Sequence, residues 1–174
     1  MKLQFNWRYL ASVIAVVAVL GFAQTARAQS QPAKPSPAEN EIRNATKLFY
    51  VAFNSALHGD LDPMSKVWSH RADISNLTAA GGWASGWDEV RAGFRNMARL
   101  YPDGRIAPED IKVVADGEMG FSVCKETGQL RSAEGPMVRF NERATNVFRL
   151  EDGKWKLVHH HADSNINTSP GVLR

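Results

Sequence analysis

The sequence predicts an α+β domain in which three N-terminal helices pack on one face of a curved, mostly antiparallel sheet. Two observations carry this. Apolar stripes of helical period are confined to the chain before Tyr101. Beyond it, runs rich in β-branched and aromatic residues are punctuated by Asp116-Gly117 and Asp152-Gly153. Such two-residue loops join antiparallel strands because both central residues of the turn need φ > 0. Helices segregated from strands along a chain mark the α+β class rather than an alternating one.

The elements follow in order. Lys2 and Arg8, the apolar run from Leu10 to Phe22, and Ala26-Arg27-Ala28 have the form of a cleavable export signal over residues 1–28, which predicts a periplasmic or secreted protein. The run is shorter than the roughly 20 residues of a spanning helix, so no membrane association is expected after cleavage. Of the formal charge of +3, the leader contributes Lys2, Arg8 and Arg27 and no acid, so the remainder is neutral. A neutral domain lacks the positive field that nucleic acid or an anionic membrane requires as partner. Cys124 is the only cysteine, so no intramolecular disulfide forms, and it reads as a small hydrophobe in a strand.

Residues 29–38 form a Gln/Ser/Pro/Lys linker ahead of a domain over 39–163, with a patternless tail over 164–174. Ser36-Pro37-Ala38-Glu39 is a capping box with proline at the first helical position. Ile42, Ala45, Phe49, Ala52, Phe53 and Ala56 then form the buried stripe of the first helix, which stops at His58-Gly59. Asp62-Pro63 opens a short second helix carrying Trp68. His70–Leu77 reads as a strand with Ala72, Ile74 and Asn76 on one side and Asp73, Ser75 and Leu77 on the other. Trp83–Asp88 reads as a loop into a third helix that Ser85 caps and Val90, Phe94 and Met97 bury, while Arg91, Arg95 and Arg99 form a solvated ridge. Strands follow over Ile106–Ala115, Met119–Thr127, Val138–Leu150 and Lys154–Ala162, with a longer connection at Gly128–Pro136.

The last hairpin supplies the candidate site. With Asp152-Gly153 as the loop, Leu150 pairs with Trp155, Phe148 with Leu157, Asn146 with His159 and Ala144 with His161. That places Asn146, His159, His161 and Glu142 on the core-facing side, where polar groups must be hydrogen-bonded or line a pocket. His159, titrating near neutrality and oriented by Asn146, is the best general acid or base. Trp83 or Trp87 is placed to cover a ligand. A His-x-His pair can ligate a metal with help from His58, His70 or Glu142, but lacks the spacing of a true zinc motif, so no metal is expected. With no Gly-rich phosphate loop, nucleotides are not expected, and no cofactor is predicted. The opposite sheet face, with Val147, Val158, Thr145 and His160 among Arg143, Arg149 and Lys156, is mixed enough to be a partner surface.

The order helix, Gly59-Asp60-Leu61-Asp62, short helix with Trp68, strand, Gly-rich loop, Gly86-Trp87-Asp88-Glu89-Val90 helix and four-stranded meander resembles the nuclear transport factor 2-like superfamily. Thr145-Asn146-Val147-Phe148, Asp152-Gly153-Lys154-Trp155 and Val158-His159-His160-His161 are similar to the association domain of calcium/calmodulin-dependent protein kinase II and to SnoaL-like domains. The resemblance implies a cone-shaped fold with an internal pocket, and a homodimer paired through the sheet. In the superfamily's ketosteroid isomerases a carboxylate at the end of the first strand is the base; here Asn76 holds that position and cannot serve. Asp73, three residues earlier, is the remaining catalytic candidate on that strand, and Tyr50 lies in the helix that carries the oxyanion-binding tyrosine. The expectation is an exported SnoaL-like domain that binds a small, largely apolar molecule through Asn146, His161, Glu142, Trp83, Trp87, Tyr50 and Asn76. The alternatives are an isomerase or cyclase with a non-standard acid/base residue, His159 or Asp73, and a self-associating module.

Overall fold

The structure, a computed structural model, describes residues 34–131 and 135–164. The export signal, residues 29–33 of the linker and residues 165–174 of the tail lie outside the described residues. Helix α1 (Pro37–Leu57) starts at the capping box: Glu39 N donates to Ser36 Oγ at 3.2 Å and Ser36 N to Glu39 Oε2 at 2.7 Å. Helix α2 (Asp62–Val67) leads to two short strands, β1 (Ser75–Leu77) and β2 (Trp83–Ser85), and then to α3 (Gly86–Leu100). Val90 and Phe94 of α3 are buried, and Arg91, Arg95 and Arg99 face solvent as expected. Four long strands complete the chain: β3 (Arg105–Asp116), β4 (Met119–Arg131), β5 (Met137–Glu151) and β6 (Lys154–Ser164).

The sheet order is β2-β1-β6-β5-β4-β3. All neighbours are antiparallel except β1 on β6, which run parallel. Helix α1 lies along β3 and β4, and its fit there follows from two matching repeats. Four residues of helix rise about 6 Å and two residues of strand about 6.6 Å. Ile42, Thr46 and Tyr50 of α1 therefore fall in turn over Gly120, Ser122 and Cys124 of β4. A Cβ on Gly120 would strike Ile42 Cδ1, Thr46 Oγ1 donates to Ser122 Oγ at 2.9 Å, and the Tyr50 hydroxyl is 3.2 Å from Cys124 Sγ. Asn54 closes the contact at the other end, bonding both the N–H and the carbonyl of Ile106 on β3.

Three elements depart from the sequence reading. The first strand begins at Ser75 rather than His70. His70 Nε2 bonds the Ser65 carbonyl at 2.9 Å and Arg71 N donates to Ser69 Oγ at 3.3 Å, and such local side-chain bonds turn the chain before it can pair. Trp83–Ser85 is a strand, not a loop, because it pairs with Leu77–Ser75. The expected connection from Gly128 starts later, since β4 runs to Arg131. Gly128 is there for close approach: a Cβ would strike the Arg105 carbonyl and lie 2.6 Å from Phe140 Cζ.

The fourth departure decides the site. The hairpin turns at Asp152 (φ 49°) and Gly153 (φ 72°), and pairs Leu150 with Trp155 and Phe148 with Leu157 as predicted. A β-bulge then inserts Val158, so Val147 pairs with His159, Asn146 with His160 and Ala144 with Ala162. One extra residue exchanges the faces of everything beyond it. His160 and Ala162 turn inward, and His159 and His161 turn to the opposite face. Val158, expected on the partner face, is buried in the core.

Candidate functional site

The inner sheet face carries a polar ladder. Asn76 of β1, His160 of β6, Asn146 of β5 and Ser122 of β4 are successive cross-strand partners. His160 Nδ1–H donates to Asn146 Oδ1 at 2.8 Å, Asn146 Nδ2 donates to Ser122 Oγ at 3.3 Å, and Ser122 accepts from Thr46 on α1. The ladder fixes the imidazole tautomer. With Nδ1 carrying the hydrogen, Nε2 keeps its lone pair and is turned toward Glu126 Oε1, 3.7 Å away. Burial, and then the neighbouring His159 and His161, hold His160 down to about 3, so the ring is neutral.

Glu126 is 2 % exposed, and its Oε1 has no hydrogen-bond partner. Its carboxyl is pushed from 4.5 up to about 7, chiefly by burial, with the Tyr50 hydroxyl offsetting part of the rise and Glu142 adding to it. Glu142 is the cross-strand partner of Glu126 and is itself raised, first by burial. Asn76 is 6 % exposed with Oδ1 unpartnered. Buried polar atoms without partners are rare; among the described residues the third, Trp68 Nε1, lies away from the cavity that these residues line.

The cavity lined by Glu126, Glu142 and Asn76 has a volume of about 630 Å³ and lies between the inner sheet face, α3 and the β1–β2 hairpin. Its walls are mostly apolar: Phe53, Phe94, Met97, Ile106, Leu130 and Phe140. Trp83, 75 % exposed, stands at its rim. The size and the apolar walls with a few convergent polar groups are those of a small-molecule site.

The candidates from the sequence divide into three groups. Asn76, Glu142 and Trp83 line the cavity. Asn146 and Tyr50 are buried behind it, Asn146 positioning His160, and Tyr50 packed in the core with its hydroxyl raised strongly by burial. The others are elsewhere. The bulge puts His159 and His161 on the outer face, where His159 Nδ1 bonds Ser75 Oγ at 2.8 Å. Asp73 is an exposed acid held by both terminal nitrogens of Arg149, at 2.8 and 3.1 Å, which keep it below its ordinary range. Trp87 stacks on His70 with ring centroids 4.5 Å apart and does not line the cavity. Glu126 and His160 were missed: His160 is hidden by the bulge, and Glu126 is one acid in a strand that gives no sign of its burial. Cys124 is buried and its thiol pushed up to about 11 by desolvation, so it stays protonated at neutral pH.

Comparison with known proteins places this geometry. The profile of the SnoaL-like domain matches residues 42–164. A candidate dehydratase of the nuclear transport factor 2-like family from Streptomyces avermitilis is 25% identical over 72% of this chain and 94% of its own, with a TM-score of 0.65. A candidate calcium/calmodulin-dependent protein kinase II association domain from Thiobacillus denitrificans is 25% identical over 77% of this chain and 98% of its own, with a TM-score of 0.60. A nuclear transport factor 2-like superfamily protein from Salmonella enterica aligns over 77% of this chain and 95% of its own with a TM-score of 0.69, and at 14% identity it speaks for the fold alone. No curated protein matches the chain. Matched over most of its length and folded in the same way, the chain belongs to the SnoaL-like domain family of the nuclear transport factor 2-like superfamily.

Proposed function

We propose that this SnoaL-like domain is exported and binds a small, largely apolar molecule in the cavity between the sheet, α3 and the β1–β2 hairpin. The observation that carries this reading is an apolar cavity of about 630 Å³ whose wall includes two polar residues, Asn76 and Glu126, that each bury an oxygen without a hydrogen-bond partner. The apolar walls supply affinity, and the polar atoms fix the ligand's orientation. Export rests on the leader sequence alone. Native mass spectrometry of the protein purified from its own host, before and after denaturation, tests the binding reading. A discrete organic mass released on denaturation is expected; protein that is empty and gains no mass with any apolar probe contradicts it.

The pairing of Glu126 with His160 favours acid–base catalysis as a second reading. A protonated carboxyl faces a lone-pair imidazole nitrogen at 3.7 Å. His160 Nε2 can take a proton from a bound substrate while Glu126 gives one to it, and return transfer between the two restores the neutral pair. This would be the non-standard acid/base residue that Asn76 makes necessary, moved from His159 to His160. Proton exchange on model ketones by the wild type, with Glu126→Gln and His160→Gln as comparisons, tests it. Equal rates in all three remove the reading.

Pairing with a second copy through the outer sheet face is supported by its apolar row of successive cross-strand partners, Val114 and Phe121 exposed and Val147 half-buried beside them. A monomer in solution at micromolar concentration would remove that part of the proposal.

A further inference from the structure

We infer that the molecule taken up by the cavity carries a protonated amine at the end that meets Glu126, His160 and Asn76; this rests on the cavity-binding reading and narrows its ligand class. Among the described residues, the cavity is lined by three carboxylates, Glu89, Glu126 and Glu142, and by no lysine or arginine. Asn76, Glu126 and His160 on this wall hold acceptor atoms that no protein donor meets. Asn76 Oδ1 and Glu126 Oε1 are unpartnered, and His160 Nε2 is left with its lone pair because Nδ1–H is committed to Asn146. A ligand group that satisfies three acceptors must bring donors. An ammonium brings three hydrogens and a charge, a hydroxyl one hydrogen, and a carboxylate none.

Charge points the same way. Facing Glu126 are Tyr50 from α1, Cys124 on its own strand, Glu142 from β5 and His160 from β6, with Glu89 of α3 also lining the cavity. None of these is a cation at neutral pH, since His160 is held neutral. A carboxylate buried without a counter-charge is costly, and the group holds its proton instead. A bound ammonium supplies the missing charge, so binding should release that proton. A carboxylate ligand would bring a negative charge into a cavity that offers it no cation.

The test is calorimetric titration of the purified chain with matched primary amines, alcohols and carboxylates on naphthylethyl and decyl skeletons. At pH 8 the amine is expected to bind at least about tenfold tighter than its alcohol, with the carboxylate weakest. Since binding requires ionised Glu126, with a midpoint near 7, amine affinity should fall about tenfold from pH 8 to pH 6, with a proton released on binding at pH 6. Glu126→Gln should bring the amine close to the alcohol. An alcohol or carboxylate that binds as tightly as its amine overturns the inference and leaves the cavity reading standing. Failure of every member of both skeletons overturns the two together.

Discussion

Replacing Glu126 with glutamine should make the protein more stable, and only above acid pH. The side chains have the same shape, so the change removes one thing, the ionisation of a buried carboxyl. Below pH 4.5 both the folded and the unfolded chain hold the proton, and the substitution has little electrostatic consequence. Between 4.5 and about 7 only the folded state still holds it, so wild-type stability contributed by this group falls as pH rises. Above 7 both states have released it and the loss is complete. At about 1.4 kcal/mol per tenfold in the proton equilibrium, the window from 4.5 to about 7 amounts to about 3 kcal/mol. In the wild type this slope is masked. His160, held down to about 3 from 6.5, loses stability as pH falls below 6.5, so the two slopes oppose each other between 4.5 and 6.5. Urea denaturation of both proteins from pH 4 to pH 8 separates them. The stability difference should grow by about 3 kcal/mol in favour of Glu126→Gln between those limits. A difference that is constant across the range would refute the assignment of Glu126 as a buried, neutralised acid.

Three further outcomes follow from the same geometry. Asn146→Ala leaves His160 Nδ1–H without its partner inside the core and removes one of the two bonds to Ser122, and should cost about 1–3 kcal/mol by chemical denaturation. Gly128→Ala drives a methyl group into the Arg105 carbonyl and Phe140 and should cost about 1–3 kcal/mol, read as a lowered melting temperature. Asp73→Asn breaks the exposed pair with Arg149, away from the cavity, and should leave ligand titrations unchanged; a change in cavity affinity would contradict the placement of Asp73.

Helical periodicity, the capping box and the two Asp-Gly turns made the elements and their order legible, because each is a local property of the chain. The inner face of β4 was not. Gly120, Ser122, Cys124 and Glu126 point inward while Phe121, 40 % exposed, points out, the reverse of a simple apolar-in pattern. The reason is α1, which sits so close that only small or hydrogen-bonding residues fit beneath it. The candidate site was half legible. Asn76, Glu142 and Asn146 precede the bulge or lie on strands without one, so alternation placed them correctly. His159, His160 and His161 follow Val158, and three consecutive histidines offer no apolar contrast by which an added residue could be detected. Asp73 and Trp87 were displaced for another reason, since their partners, Arg149 and His70, are set by tertiary contacts and local turns that no periodicity records.

The most direct measurement is a pH titration followed by NMR of the Glu126 carboxyl carbon and the His160 ring nitrogens, in the free protein and with an apolar ligand bound. The cavity described here requires Glu126 to titrate near 7, His160 to stay neutral with its hydrogen on Nδ1, and the Glu126 midpoint to move when the ligand enters. A Glu126 midpoint at its ordinary 4.5, unmoved by any ligand that binds, would contradict it.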